Sequence, residues 1–368
     1  MRDPNYSFYE IQAKFNEYWA GRPVERGKGF KAFKRWENFM IPRVNPQTGA
    51  WPAPDAVWQA MQDSPQMFQQ NQEMPGNWSY IGNTSVPTGG GGAGRLNSVR
   101  ALPGSTTTWF VCAPGGGLWK TTNSGTSWSI VGTDFLGSIG CSDVAIDPTN
   151  TNIMYLATGD GDAGDTYALG VLKTTDGGVT WNTTGLNWNV TQTRTTNRIL
   201  IHPTNTQIVI VATSNGIWRT TNGGTNWTQE ATGDIKDLIF KPGDPSTVYA
   251  CTDQFMRSTD TGDTWTTITT GLPTAAAAQR MALAVSDANA AYVYVLASGG
   301  DSGFLGLYRS TDSGLNFTTR STTPNLMGWS TNGSDAGGQG WYDLRVVADP
   351  SNAETIYTGG VNVWKSTD

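Results

Sequence analysis

The residues best equipped for chemistry are carboxylates. Asp160, Asp162 and Asp165 fall within Asp160-Gly161-Asp162-Ala163-Gly164-Asp165, where glycines flex the backbone and three side chains offer hard oxygen ligands. Such a loop suits Ca2+, although it lacks the glutamate that an EF-hand carries at its twelfth position. A plain solvated loop is the competing and preferred reading. A second set shares one register, five residues before a proline turn: Asp143, Arg198, Asp237 and Arg345. In a closed ring of strands these approach a central channel with alternating sign. Inter-blade ion pairs are the leading reading of that set, and a ligand-facing ring is the other. The sole histidine, His202, ends a strand where sister segments carry Asp147 and Asp349. A structural role follows, which excludes Ser-His-Asp and histidine–metal chemistry. Glycosidase chemistry, which needs only a carboxylate pair, survives.

More carboxylates and amides recur in a repeated octapeptide. Thr121-Thr122-Asn123-Ser124-Gly125-Thr126-Ser127-Trp128 returns around Asp176 and Trp181, Asn222 and Trp227, Asp260 and Trp265, and Asp312 and Phe317. Five copies of S/T-x-D/N-x-G-x-x-W/F point to a repeated structural unit. Two copies carry Asn, which cannot act as a general base, so the box reads as a hairpin turn. The Asx side chain bonds nearby backbone N–H groups, the glycine takes a positive φ, and the aromatic packs into the next layer.

These turns imply the elements around them. Short apolar strands such as Val144-Ala145-Ile146 and Met154-Tyr155-Leu156 precede a box, a third strand enters it and a fourth leaves it. The boxes recur every 38 to 53 residues, from Trp227 to Trp265 and from Trp128 to Trp181, which is the size of a four-stranded propeller blade. The expected fold is an all-β propeller over 76–368, with seven or more blades in the full chain. A cation stands just before each box (Lys120, Lys173, Arg219, Arg257, Arg309), and the row reads as a solvated outer face. Trp364-Lys365-Ser366-Thr367-Asp368 reads as the first half of a sixth box, so the chain is expected to continue. Asn77-Trp78-Ser79-Tyr80-Ile81-Gly82 matches the fourth strand of a blade and is expected to seal the ring.

Residues 1–75 follow another period. Ser7 and Glu10 form a capping box ahead of Phe8, Ile11, Phe15 and Tyr18 at helical spacing. A second helix is expected over Phe30 to Met40, and a third within 54–67. The net charge of −6 gives no basic field for a nucleic-acid partner. No apolar run approaches the roughly 18 residues that a membrane helix requires. Cys112, Cys141 and Cys251 lack metal-knuckle spacing. A disulfide between Cys112 and Cys141 is one reading, and buried free thiols are the favoured one. Trp188, Trp329 and Trp341, on glycine-rich loops, suit stacking on sugar rings.

The boxes resemble the BNR/Asp-box repeats of sialidases, two-propeller xyloglucanases and sortilin/VPS10 receptors. Phe8-Tyr9-Glu10-Ile11-Gln12, Phe33-Lys34-Arg35-Trp36-Glu37, Gly94-Arg95-Leu96-Asn97 and Gly340-Trp341-Tyr342-Asp343-Leu344 are similar to segments of large exported Bacteroidota proteins with sortilin-like propellers. That resemblance implies a removed leader, passage through the type IX secretion machinery and a secreted or outer-surface location. The resemblance does not settle function: the first expectation is a binding or adhesion module for glycan, peptide or a surface protein, and a further one is a scaffold in a surface assembly. The alternative is a sialidase- or xyloglucanase-like glycoside hydrolase. The sialidase R-I-P motif is not met, since Ile41-Pro42-Arg43 runs in another order outside the propeller, so no catalytic residue is assigned.

Overall fold

The computed structural model describes residues 6–24, 29–53, 56, 94–134 and 136–368. The chain forms two compact units, Met1–Glu73 and Met74–Asp368. In the first, α1 (Phe8–Trp19) opens on the expected capping box, with Ser7 accepting from the Glu10 amide and Glu10 accepting in return. It packs on α2 (Phe30–Met40) through Phe15 and Phe33, whose rings stack with centroids 3.7 Å apart. The third expected helix and the ring-sealing strand at Trp78 lie outside the described residues.

The second unit is a propeller. Blade 1 comprises β1 (Ser98–Ala101), β2 (Trp109–Ala113), β3 (Gly117–Thr121) and β4 (Ser129–Ile130). Blade 2 comprises β5 (Cys141–Ile146), β6 (Met154–Thr158), β7 (Gly170–Thr174) and β8 (Asn182–Asn187). Blade 3 follows with β9 (Thr196–Ile201), β10 (Val209–Thr213), β11 (Gly216–Thr220) and β12 (Thr228–Ala231). Blade 4 has β13 (Asp237–Lys241), β14 (Asp244–Cys251), β15 (Phe255–Ser258) and β16 (Thr266–Ile268). Blade 5 has β17 (Ala278–Ser286), β18 (Asn289–Gly299), β19 (Phe304–Ser310) and β20 (Thr318–Ser321), and blade 6 has β21 (Arg345–Ala348), β22 (Ile356–Gly359) and β23 (Val363–Ser366). Every blade is an antiparallel meander in chain order. The expectation of seven or more blades is corrected to six, five of four strands and one of three among the described residues.

Each apolar layer lies between two consecutive blades. Blades 1 and 2 share Phe110, Leu118, Val144 and Leu156, and blades 2 and 3 share Tyr155, Val171, Ile199 and Val211. Ile210, Ile217, Leu238 and Val248 fill the next layer, then Tyr249, Phe255, Leu283 and Val295, then Leu296, Leu307, Val346 and Ile356. The box aromatics join this scheme by packing back on the preceding blade: Trp181 in the first layer, Trp227 in the second, Trp265 in the third and Phe317 in the fourth. Trp128 of the first box is 38% exposed. Full burial of one such side chain is worth about 1.5–3 kcal/mol, so these layers dominate the cohesion between blades.

The box turns share one geometry. The Asx Oδ1 accepts the amide four residues on, at 2.9 Å in all five copies, from Asn123 to Asp312. The hydroxyl two residues before the Asx accepts the glycine amide at 2.8–3.1 Å. Gly178 shows why the fifth position is glycine: φ is +94° and a Cβ there would lie 2.3 Å from Val131 Cγ1. Ser366 repeats the opening of the motif by donating to Asp368 at 2.5 Å.

Three cations of the row reach the next blade rather than solvent. Lys173 Nζ donates to Gly223 O, Arg219 Nε to Thr261 O and Arg257 Nε to Ser313 O, at 2.9–3.0 Å. In each case the acceptor follows the Asx of the next blade's box, so the cation caps a neighbouring turn. The favoured free-thiol reading is also corrected for two cysteines: Cys112 of β2 and Cys141 of β5 are disulfide-bonded, with Cα atoms 4.9 Å apart. Cys251 is free and buried.

Candidate functional site

Antiparallel pairing puts the start of each first strand beside the end of the second. The connections leading into first strands therefore meet those joining second to third strands on one side, at the mouth of the channel. The longest of these connections, 322–344, joins β20 to β21, and the acidic run lies in 159–169 between β6 and β7.

The shared register becomes a chain of ion pairs along the first strands. Arg100 of β1 grips Asp143 of β5 through Nε at 2.8 Å and Nη2 at 2.6 Å. Arg198 of β9 lies 3.9 Å from Asp143 and 2.9 Å from Asp237 of β13. Burial alone would raise the Asp143 carboxyl, but Arg100 and Arg198 outweigh it and hold it below the ordinary carboxylate range. Asp237 is held down in the same way, burial being outweighed by Arg198 and Arg345. Burial would lower the Arg198 guanidinium, yet Asp237 and Asp143 push it up. Arg345 leaves the alternating pattern and faces Asp162 at 3.6 Å instead.

The three carboxylates of the acidic run are each turned toward an arginine. Asp160 accepts from Arg95 Nη2 at 2.5 Å, from Asn97 Nδ2 and from the Asp162 and Asp165 amides. Asp165 meets the same Arg95 at 3.0 Å. Asp162 crosses the channel to Arg280 Nη2 of β17 at 2.5 Å. Among the described residues no group of three His, Cys, Asp or Glu is placed to hold a metal ion.

His202 Nδ1 accepts from the Thr204 and Asn205 amides, as Asp147 accepts from Thr149 and Asn150 in the sister turn. Of the three loop tryptophans, Trp188 is buried beneath Arg194, whereas Trp329 and Trp341 are about half exposed. The 322–344 connection holds them in place. Asp335 Oδ2 accepts the Trp329 amide at 2.7 Å and the Ser330 amide at 3.1 Å, and Asn362 Nδ2 donates to Gly328 O. Arg280 Nη1 donates to Trp341 O and Tyr342 O. The next residue, Asp343, differs from its neighbours: burial pushes its carboxyl up, and the Asp162 charge adds to that.

Sequence reasoning missed Arg95, Arg100, Arg280 and Lys236. Arg100 stands only three residues before Pro103, and β17 runs into Asp287-Ala288 with no proline, so the register rule had no anchor in either blade. Among the described residues no helix is long and apolar enough to cross a membrane.

No protein-family model matches the chain. It is similar to a xyloglucanase from a Paenibacillus species, 28% identical over 200 residues, covering 43% of this chain and 19% of that protein. The chain thus spans about a fifth of the length of that curated relative. Among solved structures it resembles an ancestral GH74 enzyme with a TM-score of 0.58 and 20% identity, over 76% of this chain and 37% of the other. A GH74 enzyme from Niastella koreensis aligns with a TM-score of 0.45 and 17% identity, over 78% and 53% of the two chains. The similarity to the ancestral GH74 enzyme is one of propeller fold.

Proposed function

We propose that this chain is a glycan-binding propeller of a glycoside hydrolase-like protein, taking a β-glucan such as xyloglucan along its channel face. The observation that carries this reading is the pair of exposed indoles, Trp329 and Trp341, on one connection pinned by Asp335, Asn362 and Arg280. Rigid exposed aromatics give a sugar ring an apolar face to stack on with little ordering cost at binding. The xyloglucanase relative and the GH74 fold support the choice of polysaccharide.

Hydrolysis is the second reading, and Asp343 is what favours it. A carboxyl raised by burial and by a neighbouring Asp is suited to donate a proton to a leaving oxygen. The partner carboxylate that a glycosidase needs is not supplied by Asp162, which is engaged by Arg280 and Arg345. Export to the cell surface, by the type IX route that the family resemblance implies, is part of the proposal. The Cys112–Cys141 disulfide supports an oxidising compartment. Adhesion or surface assembly would use the same exposed face.

Affinity electrophoresis through gels containing xyloglucan tests the binding claim. Retardation is expected for the full chain, and Trp341→Ala should weaken it about tenfold, or ~1.4 kcal/mol. Unretarded migration of the full chain would defeat the reading. Release of reducing sugar, lost in Asp343→Asn, would promote hydrolysis over binding.

A further inference from the structure

We propose that Arg280 and Arg345 form a recognition site for an anionic group on a glycan, a uronate carboxylate or a sulfate ester, which Asp162 occupies as an internal stand-in. This rests on the glycan reading and specifies which substituent the channel mouth accepts.

The geometry shows a site built for more than its present occupant. Arg280 is 3% exposed, and its Nη1 is committed to Trp341 O and Tyr342 O, which fixes the plane of the guanidinium. Its Nε–Nη2 edge is the fork that takes a planar anion through two parallel bonds. Asp162 engages Nη2 at 2.5 Å, while Nε is buried without a partner. Arg345 is held loosely, 3.6 Å from the second Asp162 oxygen and 3.4 Å from Asn97 O. Burial and the charge of Arg198 push the Arg345 guanidinium down, outweighing the opposing effect of Asp162 and Asp237. Lys236, paired with Asp234 at 2.9 Å, also donates to Gly161 O at 3.3 Å and so ties down the loop that bears Asp162.

The occupant is borne on a loop fitted to the mouth. Gly161 lies so close to the wall that a Cβ there would be 2.0 Å from Asn197 Oδ1. With Asp162 in place, the space lined by Asn97, Ser142, Gly161, Asn197, Lys236 and Arg345 admits no water. Asn97 Oδ1 and Asn197 Oδ1 are buried there without a donor, while both amide NH2 groups are already committed. Two fixed acceptors beside a cation pair match a sugar acid, whose carboxylate meets the arginines while its hydroxyls donate to the asparagines. Because Arg280 also holds the Trp341 and Tyr342 carbonyls, the site adjoins the backbone of the connection that bears the exposed indole.

The test uses the full chain and its Asp162→Ala variant, melted in sulfate, in galacturonate and in chloride at matched ionic strength. Vacating the site should make the variant bind either anion at least tenfold more tightly than the parent, seen as an anion-specific rise in melting temperature. Adding Arg280→Met should abolish that rise. Asp162→Ser, which also removes the carboxylate and opens the space before Arg280, serves as the second variant if Asp162→Ala fails to fold. Equal melting of both variants in all three salts would overturn the proposal and leave Asp162 as a strap across the ring. Polygalacturonate and a sulfated galactan then decide between uronate and sulfate ester. Retardation by neutral xyloglucan, measured alongside, reports on the underlying glycan reading, because that binding does not require Arg280 and Arg345 to be vacant.

Discussion

Replacing Asp143 by alanine should be among the most damaging single substitutions in the propeller. The carboxylate is fully buried, takes two bonds from Arg100, and accepts the Ile199 amide at 3.1 Å. Removing one partner of a buried ion pair typically costs about 3–5 kcal/mol, because the other charge is left uncompensated. Two features moderate that figure here: Arg198 keeps Asp237, and the Arg100 side chain is 32% exposed and can rehydrate. The Ile199 amide loses its acceptor, which adds about 1 kcal/mol or more. The expected loss is thus roughly 3–4 kcal/mol, read as a lower urea midpoint at unchanged slope. Asp143→Asn retains an acceptor and should lose less. A loss below about 1 kcal/mol for Asp143→Ala would refute the claim that Asp143 is the buried counter-charge of Arg100 and Arg198.

Acid should unfold the propeller through the same groups. Asp143 and Asp237 have depressed folded values, so their contribution is present above the ordinary Asp value of about 4 and is lost as pH falls through the folded values. Melting temperature should therefore fall below about pH 4, and less steeply in Asp143→Asn. Arg219→Ala removes the cap on Thr261 O and the pair with Asp263 at 2.8 Å, and should cost about 1.5 kcal/mol in a denaturant titration. Cys112→Ser with Cys141→Ser releases a cross-link spanning 29 positions and should cost about 3 kcal/mol, matched by reductant acting on the parent.

The fold was legible because its determinants are local. A box needs only eight consecutive residues to fix its turn, and Pro148, Pro203 and Pro350 mark the end of a first strand. The site was less legible because its contacts join distant positions. Asp162 reaches Arg280 across 118 residues, and the cation caps join residues 42 to 56 apart. Composition showed the acidic loop to be rich in carboxylates, but not that Arg95 and Arg280 would claim them. Trp188, read as a stacking platform beside Trp329 and Trp341, lies instead in an inter-blade layer, where it clusters with Ala168, Leu186 and Ile199. The sequence carries the spacing of Trp188 but no sign of that packing.

The account rests on Trp329 and Trp341 as a glycan platform, and titrating xyloglucan oligosaccharides into the full chain while following tryptophan emission tests this most directly. A saturable change is predicted, with Kd raised about tenfold by Trp341→Ala and further by adding Trp329→Ala, while both variants melt like the parent. Saturable binding with the same Kd in the parent and the double variant would contradict it.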